Sequence, residues 1–525
     1  MKKLFLLIIV CAASNIIFAQ TEEDDWTSVN QYGQQVASFP VEPSAQNNIL
    51  VLENKDRGYK FWFDSRVQVD MAYYHNQING TMYTPDGTIT HEDAKPYMPG
   101  GISLRRVRFA VKAEINKDWY GEIDFNMANG TFGLQDAYIQ YNGLGEYGWQ
   151  LKLGNFKEDF SMEYTTSSRF ITFMERPMCV TAFNFTRRLG FQVQWQQLNW
   201  LRMSAGVTGQ EIDNWMIRHN IEEAMKRGIK GSGPNYTGKV VFMPWGGEPN
   251  QGLHLGYNFQ RRSGKWISDD VDLDGYDGRA WHAVRIDSRN ATAMNRTKYF
   301  DTDWIRGVKH SDIHGYEFAG YYNSFRFGSE FIMYNAVMDP DLPAAFYPSI
   351  SNADLAATYA KTKQFYGFYV QATYLLFGGK YRYNVNESEF TQPTRGKNWG
   401  DIELKVRYDY LDLNNNFRDE ALYKAGLTGV GQLGGSGQNI TLGTVWWVNN
   451  NVRITVDYMF SDNDRYANNR GGYNEGGRSG RPTAIGIALE GPNAGKYTGN
   501  PENVDPSQPY GVKFNTLQAR VEIAF

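Results

Sequence analysis

The sequence predicts an all-β fold, a transmembrane antiparallel β-barrel of about 16 strands that occupies residues 59–525. Three observations support this prediction. Long segments alternate between apolar and polar residues, and the connections between them fall into a short and a long class. In addition, no internal apolar run reaches the roughly 18 to 20 residues of a membrane-spanning helix.

The alternation is clearest in the first predicted strand, residues 59–74. Its odd positions read Tyr59, Phe61, Phe63, Ser65, Val67, Val69, Met71 and Tyr73, and its even positions read Lys60, Trp62, Asp64, Arg66, Gln68, Asp70, Ala72 and Tyr74. This strand exceeds the about five or six residues usual in soluble proteins, whereas a tilted membrane strand needs about ten. The last strand alternates in the same way and ends at an aromatic residue, Phe525.

The connections between the predicted strands are of two kinds. The short ones are residues 116–118, 142–147, 197–199 and 449–451, and the long ones are residues 83–99, 160–186, 209–235, 262–279, 336–363 and 461–512. Short turns on one side and long extracellular loops on the other are typical of outer-membrane barrels. A secreted or surface all-β glycan-binding protein, with exposed Tyr and Trp, stays open as the alternative.

The N-terminus predicts export from the cytoplasm. Lys2 and Lys3 precede an apolar run, Ala19 offers a small residue for cleavage, and acidic residues follow, so residues 1–19 are expected to be a signal peptide. Residues 20–58 are polar and are expected on the periplasmic side of the barrel or inside it. After cleavage only Cys179 remains, which excludes an intramolecular disulfide. The formal net charge of −4 indicates no nucleic-acid partner.

A barrel of this size leaves an aqueous lumen, which predicts a pore for small hydrophilic solutes in the bacterial outer membrane. No enzymatic activity is expected, because the seven histidines are scattered and lack the motifs of hydrolases or metalloproteases.

One acidic loop has part of a calcium motif. Asp270, Asp272 and Asp274 have the spacing of the first calcium ligands in such a loop, but Trp281 stands where the motif requires a carboxylate. A structural Ca²⁺ at these residues is one interpretation, and a solvated acidic loop is the other. No other cofactor is expected.

Several motifs resemble the phosphate-selective porin O and P family. They are Gly154-Asn155-Phe156-Lys157-Glu158, Phe173-Met174-Glu175-Arg176, Arg187-Arg188-Leu189-Gly190-Phe191, the segment 396–404 and the segment 407–414. The resemblance implies a sixteen-stranded outer-membrane barrel, commonly a homotrimer, with an inward constriction loop and basic residues that guide anions such as inorganic phosphate.

Alternation assigns side chains of both signs to the lumen. The inward cations are Arg66, Arg106, Arg108, Lys112, Lys152, Arg188, Arg202, Arg326, Lys405, Arg407, Arg453 and Arg520, and the inward acids are Asp64, Asp70, Glu114, Glu122, Asp124, Asp136, Glu330, Glu403, Asp409, Asp457 and Glu522. The two sets nearly balance, so most of these charges are expected to pair across strands.

A local excess of cations marks the candidate solute-binding residues of the constriction. These are Arg106, Arg108, Lys112, Arg169, Arg176, Arg187 and Arg188, which converge if the loop folds inward. Guanidinium groups suit oxyanions because they keep their charge and make bidentate hydrogen bonds. Glu158, Asp159, Glu163 and Glu175 in the same loop could neutralise them. Anion preference and weak selectivity are therefore both open.

Overall fold

The computed structural model describes most of the barrel and parts of its connections. The described residues are 27–29, 35–37, 41–46, 49–55, 58–78, 100–130, 132–209, 233–267, 281–292, 294–296, 298–302, 305–339, 362–415, 432–463, 486–487, 497–498 and 512–525. The predicted signal peptide and the acidic loop at Asp270, Asp272 and Asp274 lie outside these residues.

Sixteen antiparallel strands form a closed barrel, as predicted. In chain order they are β5 (Tyr59–Ile78), β6 (Gly101–Ile115), β7 (Trp119–Asn126), β8 (Gly133–Tyr141), β9 (Trp149–Phe156), β10 (Arg188–Leu198), β11 (Leu201–Thr208), β12 (Asn235–Phe242), β13 (Gln251–Arg262), β19 (Val308–Tyr322), β20 (Phe325–Met338), β21 (Lys363–Leu375), β24 (Asp401–Asn415), β25 (Gln432–Trp447), β26 (Val452–Asn463) and β29 (Val512–Ala524).

Shorter elements precede the barrel or lie in its connections. The strands are β1 (Thr27–Val29), β2 (Gln35–Ala37), β3 (Glu42–Gln46), β4 (Ile49–Asn54), β14 (Lys265–Ile267), β15 (Trp281–Val284), β16 (Asp287–Ser288), β17 (Phe300–Asp301), β18 (Ile305–Arg306), β22 (Tyr383–Asn384), β23 (Glu389–Phe390), β27 (Gly486–Ile487) and β28 (Tyr497–Thr498). The helices are α1 (Met162–Thr165), α2 (Met178–Phe183) and two 3₁₀ turns, Ala128–Gly130 and Gly145–Tyr147.

The barrel closes where the last strand meets the first. β29 pairs with β5 from Ala524 opposite Arg66 upward, and the backbone groups of Phe525 and Ser65 exchange two hydrogen bonds of 2.7 and 2.9 Å. The lower end of β5 pairs instead with β4, which forms a hairpin with β3. This hairpin extends the wall on the side of the short turns, which is the periplasmic side in such barrels.

The two faces of the barrel strands differ as alternation predicts. Outward residues such as Val370 and Leu442 are about half exposed, whereas inward Arg407 and Arg520 are each 1% exposed. An apolar outer surface suits the hydrocarbon of the membrane, and the polar inner surface faces the lumen.

Among the residues that the structure describes, no helix is long and apolar enough to span a membrane.

One connection on the short-turn side is long, which the sequence did not predict. β21 and β24 are joined by residues 376–400, here called the turn-side segment, which contains the hairpin β22–β23. The other described connections on this side are short, such as residues 199–200 and 323–324.

Candidate functional site in the barrel lumen

Residues 157–187, here called the inward loop, leave β9, cross the lumen and return to β10. Helices α1 and α2 lie within the loop, and their apolar residues Met162, Met178 and Phe183 are fully buried. Backbone N–H groups of the loop donate to acids of the opposite strands, as Met174 does to Asp457 at 3.0 Å and Glu163 to Glu330 at 2.7 Å. The inward loop is therefore fixed to the strands opposite its own ends.

Strands β19–β21, β24–β26 and β29, here called the far wall, hold the inward loop with cations. Lys405 donates to the carbonyl of Thr172 at 2.8 Å, Arg407 to that of Glu175 at 3.0 Å, Arg453 to that of Ile171 at 2.9 Å and Arg520 to that of Met174 at 2.5 Å. Because backbone carbonyls and carboxylates occupy these cations, they anchor the loop and are not free to meet a solute.

A β-bulge adds a further anchor on β6. The register of β5 against β6 shifts between Gln68 and Val69, which places Arg105 as well as Arg106 on the inner side. Arg105 makes a bidentate ion pair with Glu175 of the inward loop at 2.8 and 2.9 Å. Burial would raise the pKa of Glu175, but Arg105 and Arg106 hold it well below its usual value.

The hairpin β22–β23 enters the lumen from the periplasmic side and meets the inward loop. The carbonyl of Asn386 at its tip accepts hydrogen bonds from Gln194 at 2.8 Å and from Arg202 at 2.9 Å. Phe390 is buried under the guanidinium of Arg326, 3.9 Å from the ring centre. The tip thereby reaches strands on both sides of the barrel.

The base of the turn-side segment is anchored by Asp401. Its carboxylate accepts the backbone N–H groups of Phe377 at 3.0 Å, Gly379 at 2.8 Å and Gly396 at 3.0 Å. Three backbone donors on one buried carboxylate hold both arms of the segment together.

A third insertion comes from the connection between β13 and β19. Ser288 donates to the carbonyl of Met178 in the inward loop at 3.0 Å, and Asn290 donates to Asn439 at 2.8 Å and to Asn463 at 3.0 Å. Its apolar residues Ile286 and Phe300 join the buried cluster that contains α2. The described part of this insertion and the inward loop pack together against the far wall.

What remains beside the inward loop is a polar cavity of about 310 Å³, here called the constriction cavity, against β5–β11, the near wall. Its cations are Arg66, Arg108, Lys112, Lys152, Lys157, Arg187 and Arg202, and its acids are Asp64, Glu122, Asp124, Asp136, Asp159, Glu387 and Glu389. The two signs are equal in number, so the pairing pattern decides which charges a solute meets.

Most acids of the constriction cavity have a cation partner. The ion pairs are Arg108–Asp124 at 2.6 Å, Lys112–Asp64 at 3.2 Å, Lys112–Glu122 at 3.7 Å, Arg169–Asp64 at 3.2 Å, Arg187–Asp136 at 2.6 Å and Arg202–Asp159 at 2.7 Å. Burial would raise the pKa of Asp159, but Arg202 and Lys239 lower it below its usual value. These five acids and five cations form a balanced network.

The side chains outside this network are three cations and two acids. Within the described part of the chain, Arg66, Lys152 and Lys157 have no acid within ion-pair distance, and Glu387 and Glu389 have no cation within that distance. Arg66 lies in electrostatic reach of Glu522 and Asp64. Lys152 lies 4.8 Å from the ring centre of Tyr138. Lys157 donates to the carbonyls of Tyr164 and Thr165 at 3.1 and 3.2 Å.

Lys157 and Glu389 influence each other electrostatically. Burial, followed by the charges of Arg176 and Arg187, lowers the pKa of Lys157 well below its usual value. Burial and the neighbouring Glu387 raise the pKa of Glu389 to about 7. Lys157 and Glu389 are of opposite sign and together add little net charge, so the lining charges that remain without an ion-pair partner are Arg66, Lys152 and Glu387.

A second, wider cavity of about 890 Å³, here called the vestibule, lies on the periplasmic side. It is lined by Arg169 of the inward loop, by Arg382, Arg395 and Lys397 of the turn-side segment and by the turn residue Asn450. Its described lining contains no carboxylate. Arg169 also pairs with Asp64 of the constriction cavity, so the two cavities adjoin at this ion pair.

The seven cations predicted from the sequence to lie at the constriction occupy different places in the structure. Arg108, Lys112 and Arg187 line the constriction cavity and Arg169 lines the vestibule. Arg106, Arg176 and Arg188 line neither cavity.

These three residues have partners within the protein. Arg106 donates to Gln68 at 2.7 Å, and Arg176 donates to the carbonyls of Glu163 and Thr166 at 2.8 and 2.7 Å. Arg188 is buried and donates to the carbonyl of Gly209 at 3.2 Å. Of the seven cations expected to converge at the constriction, three therefore line the constriction cavity and one lines the vestibule.

Glu122, Asp124 and Asp136 bring carboxylate oxygens within 4.8 Å of one another, an arrangement that could hold a metal ion. Each of the three is also paired with Lys112, Arg108 or Arg187. The cations already neutralise the group, so its chemistry fits an ion-pair network better than a metal site.

A closed barrel of sixteen strands, an apolar outer face and a charged lumen narrowed by inserted loops define an outer-membrane channel protein. The model of the phosphate-selective porin O and P family matches residues 77–489, and the chain belongs to that family. It is a porin of the bacterial outer membrane that forms an aqueous channel for small hydrophilic solutes.

Two curated relatives and two solved structures illustrate the similarity. Porin O of Pseudomonas aeruginosa is 23% identical over 441 residues, 80% of this chain and 87% of the relative. An uncharacterized protein of Caulobacter vibrioides is 22% identical over 410 residues, 78% of this chain and 69% of that protein.

Among solved structures, the outer membrane channel DcaP of Acinetobacter baumannii has a TM-score of 0.45 at 10% identity and covers 90% of this chain and 99% of its own. OmpF of Salmonella typhi, in complex with daunomycin, has a TM-score of 0.45 at 11% identity and covers 90% of this chain and all of its own.

Proposed function

We propose that this porin passes small anions, inorganic phosphate among them, in preference to cations. The observation that carries the proposal is the charge left over in the constriction cavity. Arg66 and Lys152 lack an ion-pair partner among the described residues, whereas five of the seven acids are neutralised by ion pairs. Of the other two acids, Glu389 faces Lys157, and only Glu387 opposes the two cations. A solute that enters the cavity thus meets a modest excess of positive charge.

The vestibule supports the same preference. Arg169, Arg382, Arg395 and Lys397 line it without a described carboxylate, and such a cationic approach raises the local anion concentration. Rings of arginine and lysine favour anions in pores, and several moderate contacts allow an ion to leave again. The chain's membership of the phosphate-selective porin O and P family agrees with this proposal.

The test is the reversal potential of the purified channel in a planar bilayer with a salt gradient, followed by addition of phosphate. An anion-to-cation permeability ratio above one, together with a reduced chloride current in millimolar phosphate, is the expected result. A ratio below one would exclude the proposed anion preference. An unchanged chloride current would exclude phosphate binding in the channel.

We also propose that the porin assembles as a homotrimer, a state implied by its resemblance to the family. Its mass in a mild detergent, measured by light scattering with correction for bound detergent, is expected to equal three chains. A mass of one chain, at concentrations where the channel is active, would contradict the proposal.

The channel function replaces the alternative hypothesis of a secreted or surface glycan-binding protein. The family and the closed barrel indicate a channel rather than an enzyme.

A further inference from the structure

The tip of the hairpin β22–β23 carries two acids, Glu387 and Glu389, into the constriction cavity. These residues come from the periplasmic side of the chain, far in sequence from the near wall that supplies the other lining charges. We propose that Glu387 and Glu389 set the ion selectivity of this channel by opposing the unpaired cations of the near wall. This inference deepens the proposed function and rests on it.

Glu387 adds a negative charge that other side chains cancel only in part. Its side chain is exposed to the cavity and makes no hydrogen bond or ion pair within the described residues. It lies in electrostatic reach of Arg202, but that guanidinium already bonds Asp159 at 2.7 Å, Gln194 at 2.6 Å and Asn386 at 2.9 Å. The single positive charge of Arg202 is shared between Asp159 and Glu387, so it offsets the charge of Glu387 only in part.

Glu389 is similarly short of cation partners. Of the two lysines near it, Lys157 donates to two loop carbonyls, and Lys239 is 3.0 Å from Glu317 and 3.6 Å from Asp159. Glu389 is half-buried between the hairpin and the inward loop, where its charge acts across less water than that of an exposed side chain.

The hairpin holds both acids in fixed positions. Tyr383 bonds His254 of the wall, Asn386 accepts from Gln194 and Arg202, and Ser388 is fully buried. Because the residues on either side of Glu387 are anchored, its backbone stays at the cavity and its carboxylate remains within one side-chain length of that position. A fixed charge in a narrow, partly desolvated passage affects permeation more than a mobile one.

The structure therefore assigns opposite roles to two sets of residues in one cavity. Arg66 and Lys152 on the near wall favour anions, and Glu387 and Glu389 on the hairpin favour cations. Because the two sets oppose each other, we expect the channel to select anions less strongly than the cations of the vestibule alone would.

The experiment compares reversal potentials of the full-length wild type, Glu387→Gln, Glu389→Gln and the double variant at pH 8. Glu146→Gln is the matched control, because Glu146 is an exposed acid on a periplasmic turn outside the cavity. We expect a roughly threefold rise in the anion-to-cation permeability ratio for Glu387→Gln, a smaller rise for Glu389→Gln and the largest rise for the double variant. The control should match the wild type.

The outcomes separate this inference from the proposed function. If the double variant keeps the wild-type ratio, the hairpin acids do not set selectivity, whatever the wild type prefers. If the wild type prefers cations and the double variant shifts toward anions, this inference holds and the proposed anion preference fails. A shift equal to that of Glu146→Gln would overturn the inference, because it would mean a general surface-charge effect. Heat-modifiable migration of each variant on a denaturing gel verifies that the barrel is folded.

Discussion

The near wall and the far wall of this barrel both present cations to the lumen but use them differently. On the far wall, Lys405, Arg407, Arg453 and Arg520 donate to backbone carbonyls of the inward loop at 2.5–3.0 Å. On the near wall, Lys152 and Arg66 line a cavity and have no ion-pair partner among the described residues. An inward cation that faces the inward loop therefore anchors that loop, whereas an inward cation that faces the cavity can contact a solute.

The largest expected effect lies on the far wall. Arg520→Ala removes a bidentate pair with Asp70 at 2.6 and 2.7 Å and contacts to Met174 and Glu175, and it leaves buried Asp70 without its cation. Loss of one partner of a buried ion pair costs about 3–5 kcal/mol, so the free energy of unfolding should fall by that order. Urea unfolding in lipid vesicles, followed by tryptophan fluorescence, measures it.

Lys152→Ala, on the near wall, is the matched control for this stability measurement and should change the free energy of unfolding much less. Equal losses in the two variants would remove the distinction between the walls.

The second effect concerns selectivity on the near wall. Lys152→Gln removes an unpaired cation from the constriction cavity, so the anion-to-cation permeability ratio should fall roughly threefold. Reversal potentials in a salt gradient measure the ratio. Lys309→Gln, at an exposed position of β19 outside the two cavities, is the control and should leave the ratio unchanged. An unchanged ratio in Lys152→Gln would mean that ions do not pass this residue.

The smallest effect is a pH dependence. The pKa of Glu389 is raised to about 7, so this acid is largely ionised at pH 8 and largely protonated at pH 6. The groups that face it are Glu387 on the hairpin, Lys157 and the backbone of Ser167 on the inward loop, and Lys239 on β12, while His254 on β13 packs against the same hairpin. Protonation removes a negative charge, so the anion-to-cation permeability ratio should rise about twofold as the pH falls from 8 to 6.

Glu389→Gln should flatten this pH profile, because the titrating group is gone. A profile that is the same in Glu389→Gln would assign the titration to another residue, and Lys157→Gln and His254→Gln would then be the variants to measure.

The difference between the two walls also explains which properties of the inward side chains could be predicted from the sequence. Alternation placed Arg66, Lys152, Arg407 and Arg520 on the inner face, and the structure confirms all four. Alternation depends only on local geometry. What stands opposite an inward side chain depends on how residues 157–187 cross the lumen, a tertiary property that periodicity does not contain. Arg407 and Lys152 were therefore indistinguishable in the sequence.

The hairpin β22–β23 was missed for a related reason. Its strands are two residues long each, too short for any periodic signal. Its place in the lumen depends on contacts with Gln194, Arg202 and His254, which lie far away in the sequence. The feature of the sequence that could have indicated the hairpin is the length of residues 376–400, which join two strands on the side where the other connections are short.

The most direct test of the account asks whether the conducting path follows the near wall. Ser167 lines the constriction cavity, and Ser461 is a buried inward residue of the far wall, so Ser167→Cys and Ser461→Cys form a matched pair. Both are made with the buried native cysteine replaced, Cys179→Ala. Single channels in planar bilayers are treated with a negatively charged methanethiosulfonate reagent while the current is recorded. The account predicts a stepwise block of Ser167→Cys and a steady current through Ser461→Cys, whereas block of Ser461→Cys with no effect on Ser167→Cys would contradict it.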